Sequence, residues 1–126
     1  MIRRAVSISA ALGAAAMLAF AGSAVARSGA PTTVTIKKES DGFFGFVDST
    51  KPNKCANNRE VTVYKEKGDS PDPSSDKKVG SDTAQPNGDG YMWNTGNTGN
   101  QKGDFYAFAH RIPGCKKGIS KVVTRH

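Results

Sequence analysis

The stretch Glu60-Val61-Thr62-Val63-Tyr64-Lys65 decides the fold class of this chain. Successive side chains of an extended strand point to opposite faces, so Val61 and Val63 share one face. Thr62 and Tyr64 share the other. An apolar face that alternates with a more polar one is typical of a half-buried β-strand. We therefore expect the two valines to face a core and the other two side chains to point outward.

The same alternation recurs through residues 27–126, in short segments cut by Gly, Pro, Asn and Asp. None of these segments has the 3.6-residue period of an amphipathic helix, and this combination predicts an antiparallel β protein. Strands separated by turns in this way are typical of a sandwich of two sheets. The predicted strands are Thr32–Lys38, Phe43–Val47, Glu60–Lys65, Lys78–Thr83, Tyr91–Asn94, Asp104–Arg111 and Ser120–Thr124.

The tryptophan of this chain follows a turn-forming sequence. Gln85–Gly90 reads Gln-Pro-Asn-Gly-Asp-Gly, which predicts a tight reversal just before the strand that holds Trp93. Trp93 shares a face with Tyr91, and we expect both to lie in the core. The alternative is a solvent-facing platform for a sugar, formed by Tyr91, Trp93, Tyr106 and Phe108.

Two polar loops stand apart from the alternating pattern. Gly68–Asp76, which includes Pro71 and Pro73, lacks apolar anchors and is predicted to be mobile. Asn94–Asn100 contains an Asn-Thr-Gly repeat. We interpret both as connections. The alternative is that their tips form a contact surface, because loops on a rigid sandwich often carry binding.

The N-terminal residues predict export. Met1-Ile2-Arg3-Arg4 is followed by an apolar, alanine-rich run and by Ala24-Val25-Ala26, which is the pattern of a secretory signal peptide. We expect residues 1–26 to be the signal peptide and residues 27–126 to be a single secreted β-sandwich domain, extracellular or periplasmic. No membrane span is then expected after cleavage. The alternative is an uncleaved N-terminal anchor that leaves the same domain outside the cytoplasmic membrane.

Two cysteines, Cys55 and Cys115, both lie in the predicted exported domain. An oxidising compartment favours a bond between them, and a domain of this size gains from such a constraint. A zinc site would need three or four closely spaced ligands, which two distant cysteines and two histidines do not form. We expect a disulfide, with no metal and no other cofactor.

The charge of the chain is basic without being extreme. Removal of Arg3 and Arg4 with the signal peptide lowers the formal net charge from +7 to +5. The lysine pairs Lys77-Lys78 and Lys116-Lys117 are spread along the chain among acidic residues, which is typical of solvated surface charge. The alternative is a binding surface at these four lysines for an anionic cell-envelope polymer, a lipid headgroup or an extracellular protein. No nucleic-acid-binding motif accompanies them, so no nucleic-acid partner is expected.

Catalytic and calcium-binding patterns are weak. His110 is the only internal histidine of the predicted domain, and Glu60 could be nominated as its acid–base partner, but no spacing argument brings the two together. Asn87, Asp89 and Asp82 offer oxygen atoms near a tight turn, yet they lack the closing bidentate acid of a calcium loop. We interpret these three as turn residues and expect no catalytic residue.

The order of several short motifs resembles the secreted bacterial transthyretin-like, or carboxypeptidase-regulatory-like, β-sandwich proteins. These motifs are Phe44-Gly45-Phe46-Val47, Arg59-Glu60-Val61-Thr62-Val63-Tyr64, Val79-Gly80-Ser81-Asp82-Thr83, Gly88-Asp89-Gly90-Tyr91-Met92-Trp93 and Gly103-Asp104-Phe105-Tyr106-Ala107, with Cys115 before a terminal strand. The resemblance implies an all-β, seven-stranded antiparallel Ig-like or prealbumin-like sandwich. It implies an aromatic core residue in the Gly-Asp-Gly-Tyr-Met-Trp hairpin and no defined activity.

The function expected from the sequence is that of a secreted, non-catalytic interaction or structural module of the cell envelope or extracellular space. Its partner is not specified by any motif. The alternatives are a small secreted inhibitor or effector, and a small secreted hydrolase that uses His110.

Overall fold

The computed structural model describes residues 29–126, so the predicted signal peptide and its cleavage site lie outside the described residues. Within this range, the chain forms ten short strands and one turn of helix. The strands are β1 (Thr32–Val34), β2 (Lys37–Lys38), β3 (Phe43–Ser49), β4 (Glu60–Lys65), β5 (Lys77–Thr83), β6 (Gln85–Asn87), β7 (Gly90–Asn94), β8 (Gly103–Ala109), β9 (Gly118–Ile119) and β10 (Val123–Arg125). The helix, α1, spans Pro52–Cys55.

These strands form two antiparallel sheets. The front sheet has the order β1-β3-β7-β6, with β2 also paired to β3. The back sheet has the order β10-β8-β4-β5, with β9 also paired to β8. The β4–β5 and β6–β7 hairpins are joined by a crossing between the sheets at Ala84, which is fully buried. The prediction of an all-β, two-sheet antiparallel fold with almost no helix is confirmed.

The main core lies between the two sheets. Val61 and Val63 of β4 are fully buried in it, as the period-two alternation predicts. Trp93 of β7 is also fully buried there, and Tyr91 packs partly buried against the same cluster. The core prediction for Trp93 is confirmed.

One glycine brings the chain close to that tryptophan. A Cβ atom at Gly45 in β3 would lie 1.9 Å from the carbonyl oxygen of Thr35 and 2.9 Å from Cζ2 of Trp93. The absence of a side chain at Gly45 therefore lets β3 approach both the preceding segment and the indole ring.

The structure divides the chain more finely than the sequence predicts. The segment 32–38 is split into β1 and β2. The predicted C-terminal strand Ser120–Thr124 is wrong in its bounds, because β9 ends at Ile119 and β10 begins only at Val123. Gln85–Asn87 was assigned to a turn but forms the edge strand β6, which leaves a two-residue turn before Gly90. Pro86 lies within this edge strand, a position that tolerates its missing N–H. In the described part of the chain, no helix is long and apolar enough to cross a membrane.

Candidate functional site

An aromatic layer covers the outer face of the back sheet. Tyr64 of β4 stacks on Tyr106 of β8 with ring centroids 5.6 Å apart, and Phe108 meets Tyr64 edge-on at 6.4 Å. Tyr106 is fully buried, and Tyr64 and Phe108 are each only 8% exposed. The alternation placed Tyr64 outward correctly, but other parts of the chain cover all three side chains.

This cover is the Gly68–Asp76 loop, which the sequence predicts to be mobile. Asp76 accepts hydrogen bonds from the Tyr106 hydroxyl at 2.7 Å and from the backbone N–H groups of Lys67 at 2.9 Å and Asp72 at 2.7 Å. The side chain of Asp72 in turn accepts hydrogen bonds from Ser74 and Ser75. The loop lacks apolar anchors, as expected, but the hydrogen bond from Tyr106 to Asp76 ties it to the sheet, and Asp72 orders the turn within it.

These hydrogen bonds shift the ionisation of the groups that make them. Burial acts to raise the pKa of Asp76, but the hydrogen bonds from Tyr106, Asp72 and Lys67 outweigh it, so the pKa lies below its ordinary value. Burial, followed by the hydrogen bond to Asp76, raises the pKa of Tyr106 well above its ordinary value. Both shifts favour a neutral tyrosine that donates to an ionised carboxylate.

His110 lies at the exposed end of the aromatic layer. Its Nε2 atom is 3.3 Å from the Tyr64 hydroxyl oxygen, and its ring meets Phe108 edge-on with centroids 4.7 Å apart. Thr62 pairs with Phe108, so Glu60 and His110 follow at the same end of β4 and β8. The strand register therefore places the two residues at the same end of the back sheet, and no hydrogen bond joins Glu60 to His110 among residues 29–126.

A cleft of about 440 Å³ opens beside His110, and we call it the outer cleft. The turn at Pro71–Ser74 forms one side of it, and Lys117 and Ile119 line another. The edge of Phe108 lines it from the aromatic layer. The outer cleft therefore unites one histidine, one lysine and the carboxylate of Asp72 with small apolar surfaces.

The predicted disulfide joins two basic segments at the same end of the sandwich. The sulfur atoms of Cys55 and Cys115 are 1.99 Å apart, and both cysteines are buried. The bond connects residues 51–59, which contain α1, to residues 110–117, which follow β8. Lys54 lies against Gly114, where an added Cβ would come within 2.5 Å of its Nζ atom.

Arg59 fastens the same two segments from inside. It is only 2% exposed, and its guanidinium group donates to the carbonyl oxygens of Cys55 at 2.8 Å, His110 at 2.7 Å and Lys116 at 2.8 Å. Burial lowers the pKa of this guanidinium. Its partners are carbonyl and hydroxyl groups, so Arg59 organises the backbone here rather than neutralising an acidic side chain.

We call residues 51–59 and 110–117 the basic pole. They contain no Asp or Glu, whereas Glu60 begins the next strand. All basic side chains of the pole except Arg59 are exposed: Lys51, Lys54, Arg111, Lys116 and Lys117, with His110 beside them. Folding gathers two segments without Asp or Glu that are distant in sequence, so positive charge is concentrated at this end of the molecule.

The four lysines nominated from the sequence do not form one surface. Lys116 and Lys117 belong to the basic pole, and Lys117 also lines the outer cleft. Lys77 and Lys78 lie on β5, which is separated from β9 by β4 and β8. Three strand spacings correspond to about 14 Å.

The structure also bears on two other hypotheses from the sequence, the sugar platform and the calcium site. The four-residue sugar platform is not solvent-facing, because Trp93 and Tyr106 are fully buried. Of the three suggested calcium ligands, Asp82 accepts a hydrogen bond from the N–H of Asn94, and Asn87 contacts Met92. Across residues 29–126, no group of three or more His, Cys, Asp or Glu side chains is placed to hold a metal ion.

The sequence did not reveal the residues that build the basic pole. It also did not reveal the Tyr106–Asp76 hydrogen bond, which we call the loop anchor. Arg59 and the Tyr106–Asp76 pair could not be recognised, because their partners are distant in the chain. One signal of the pole was present in the sequence, since no acidic residue follows Asp104.

Comparisons of the chain with protein-family models, with curated proteins and with solved structures gave no match. The basic pole and the outer cleft are the candidate functional features of this protein.

Proposed function

We propose that this chain is a secreted, non-catalytic interaction module of the cell envelope or extracellular space, exported by a signal peptide at residues 1–26. In this proposal, residues 27–126 are a single domain with an Ig-like or prealbumin-like sandwich of the secreted transthyretin-like kind. The domain binds an anionic polymer of the envelope through the basic pole.

The observation that carries the proposal is the cross-linked basic pole, whose two segments contain no Asp or Glu. Five exposed lysine and arginine side chains lie on two segments that the Cys55–Cys115 bond and Arg59 hold together. A fixed cluster of one sign attracts an oppositely charged polymer more strongly than the same charges distributed around the surface. A disulfide is also the kind of constraint that persists in oxidising compartments.

The test compares two triple variants of equal net charge. Lys54→Gln/Lys116→Gln/Lys117→Gln removes charge from the basic pole, whereas Lys77→Gln/Lys78→Gln/Lys102→Gln removes exposed charge elsewhere. The exported proteins, checked as monomers by size exclusion, are applied to immobilised polygalacturonate, poly(glycerol phosphate) and neutral dextran. At low salt, we expect the pole variant to bind the acidic polymers roughly 100-fold more weakly, at roughly 1 kcal/mol for each lysine near an anionic surface.

The control variant should remain close to wild type, and salt should weaken binding because exposed charges are screened beyond roughly 8–10 Å at physiological ionic strength. Equal losses in the two variants would show that net charge, not the pole, determines retention. If the wild type were retained equally on neutral dextran and on the acidic polymers, an anionic partner would be contradicted.

A second candidate, a small secreted hydrolase, is favoured by one observation. His110 and Glu60 lie at the same end of neighbouring strands, with the Tyr64 hydroxyl 3.3 Å from the histidine ring. Removal of a general acid or base typically costs 10²–10⁴-fold in rate. We expect no turnover of RNA, peptidoglycan, polysaccharide or protein by the wild type. Turnover that disappears in His110→Ala would establish the hydrolase in place of the binding module.

A further inference from the structure

The outer cleft has the size and the chemistry of a small-ligand site. Its volume of about 440 Å³ falls within the range of small-molecule sites in proteins, roughly 300–1,000 Å³. Such a volume suits one or two sugar rings better than a folded partner. The outer cleft also adjoins the basic pole, because Lys117 belongs to both.

The polar groups of the outer cleft that are free to bind include the ammonium group of Lys117, and the Nδ1 atom of His110 is a donor when Nε2 accepts from the Tyr64 hydroxyl. The Nε2 atom of His110 is engaged by the Tyr64 hydroxyl, whereas its Nδ1 atom has no hydrogen-bond partner among the described residues. The ammonium group of Lys117 likewise has no partner within residues 29–126. A ligand that presents acceptor oxygens and a negative charge would match both groups.

The carboxylate in the outer cleft, that of Asp72, already accepts hydrogen bonds from neighbouring residues of its own turn. Asp72 accepts from the Ser74 hydroxyl at 2.6 Å, from the Ser74 N–H at 3.2 Å and from the Ser75 hydroxyl at 2.8 Å. These donors offset part of its charge. A carboxylate has about four lone-pair sites, so Asp72 can still accept a hydrogen bond from a ligand hydroxyl.

The apolar part of the lining is short. Pro71, Phe108 and Ile119, which is 46% exposed, line the outer cleft, and Phe108 and Ile119 are paired neighbours on β8 and β9. Asp72 and Ser74 line it beside them. A long acyl chain would need a continuous apolar groove. The carbon–hydrogen faces of a sugar ring need only short apolar patches, while its hydroxyl groups meet the polar side chains between them.

The walls of the outer cleft are ordered by contacts within the protein. Asp76 accepts a hydrogen bond from Asp72 of the Pro71–Ser74 wall and is itself held by Lys67 and Tyr106. The contacts to Tyr64 and Phe108 orient His110. A site that is already ordered loses little conformational entropy when it binds.

From these observations we infer that the outer cleft binds an acidic sugar unit, a saccharide ring that carries a carboxylate or a phosphate. This inference rests on the proposed function, since it identifies the polymer of the basic pole as an acidic glycan. The pole then attracts the chain of the polymer, and the outer cleft receives one of its sugar units.

The test is a nuclear magnetic resonance titration of the ¹⁵N-labelled exported protein. Glucuronic acid, glucose 6-phosphate and neutral glucose are the probes, so that the carboxylate and phosphate sources are separated. We expect saturable shifts at Phe108, His110 and Ile119 with an acidic sugar and much weaker shifts with glucose. Lys117→Gln should weaken the binding roughly tenfold, the lower end of what a hydrogen bond to a charged group contributes. Lys77→Gln should leave it unchanged.

Three results would overturn the inference: equal responses to glucose and to the acidic sugars, equal effects of the two lysine variants, and unsaturated shifts spread over the exposed lysines. Ile119→Ser separates the inference from the proposed function, because it alters the outer cleft and leaves every charge in place. If this variant and the wild type both stay on the acidic polymers while no acidic sugar binds the outer cleft, only the inference fails. Loss of polymer retention by the wild type would refute the proposed function itself.

Discussion

Removal of the Cys55–Cys115 disulfide should destabilise the protein severely. The two cysteines are 60 residues apart, and the loop-entropy relation gives about 4 kcal/mol for a closed loop of that length. The free energy of unfolding of a natural domain is about 5–15 kcal/mol. The double variant Cys55→Ala/Cys115→Ala should therefore keep only about 1–11 kcal/mol of that free energy, so that it is marginally folded at the low end of the range.

The measurement is urea unfolding followed by Trp93 fluorescence. With a urea slope of roughly 1–2 kcal/mol per molar, the midpoint should fall by roughly 2–4 M. Reduced wild-type protein serves as the control, because it loses the bond without losing either sulfur atom. A decrease of less than about 1 kcal/mol in both proteins would refute the loop-entropy reasoning. Two freely alkylated thiols in the folded, exported protein would refute the disulfide.

Three further outcomes test the core and the loop anchor. Trp93 should emit as a buried indole and shift to the red on unfolding, and a red-shifted native emission would contradict its place in the core. Gly45→Ala should cost roughly 1–3 kcal/mol or more in unfolding experiments, because its Cβ would lie 1.9 Å from a backbone oxygen; Gly68→Ala, which meets no atom within 4 Å, should change stability little. The pKa of Asp76 is depressed in the folded state, so its contribution should be complete above the unfolded value of about 3.9 and disappear as the pH falls through the folded value. Asp76→Asn should flatten the acid limb of the stability curve, and an unchanged limb would argue against the anchor.

The features that followed from the sequence are those determined by neighbouring residues. Alternation in residues 60–65 predicts which face of β4 is buried, because strand geometry fixes the direction of each side chain. Two cysteines in one domain leave a single possible intramolecular pair. The bounds of the strands are harder to predict from the sequence. Gln85–Asn87, for example, forms a strand only because it pairs with β7.

The candidate sites depend on contacts between distant residues. The Gly68–Asp76 loop looks unanchored in sequence, yet Tyr106, thirty residues from Asp76, holds it in place. The basic pole was obscured for the same reason, because each lysine pair was judged against its neighbours in the chain. The alternation correctly placed Tyr64 outward, but an outward side chain is exposed only if nothing folds over it.

The strands at the margins of the sandwich have a consequence for its behaviour at high concentration. An unpaired strand edge can template the addition of another chain, and proline, lysine and very short strands are the usual defences against this pairing. Pro86 occupies the three-residue strand at one margin, and Lys77 and Lys78 begin the strand at another. We therefore expect these two lysines to disfavour edge-to-edge pairing between molecules, a role that requires no ligand.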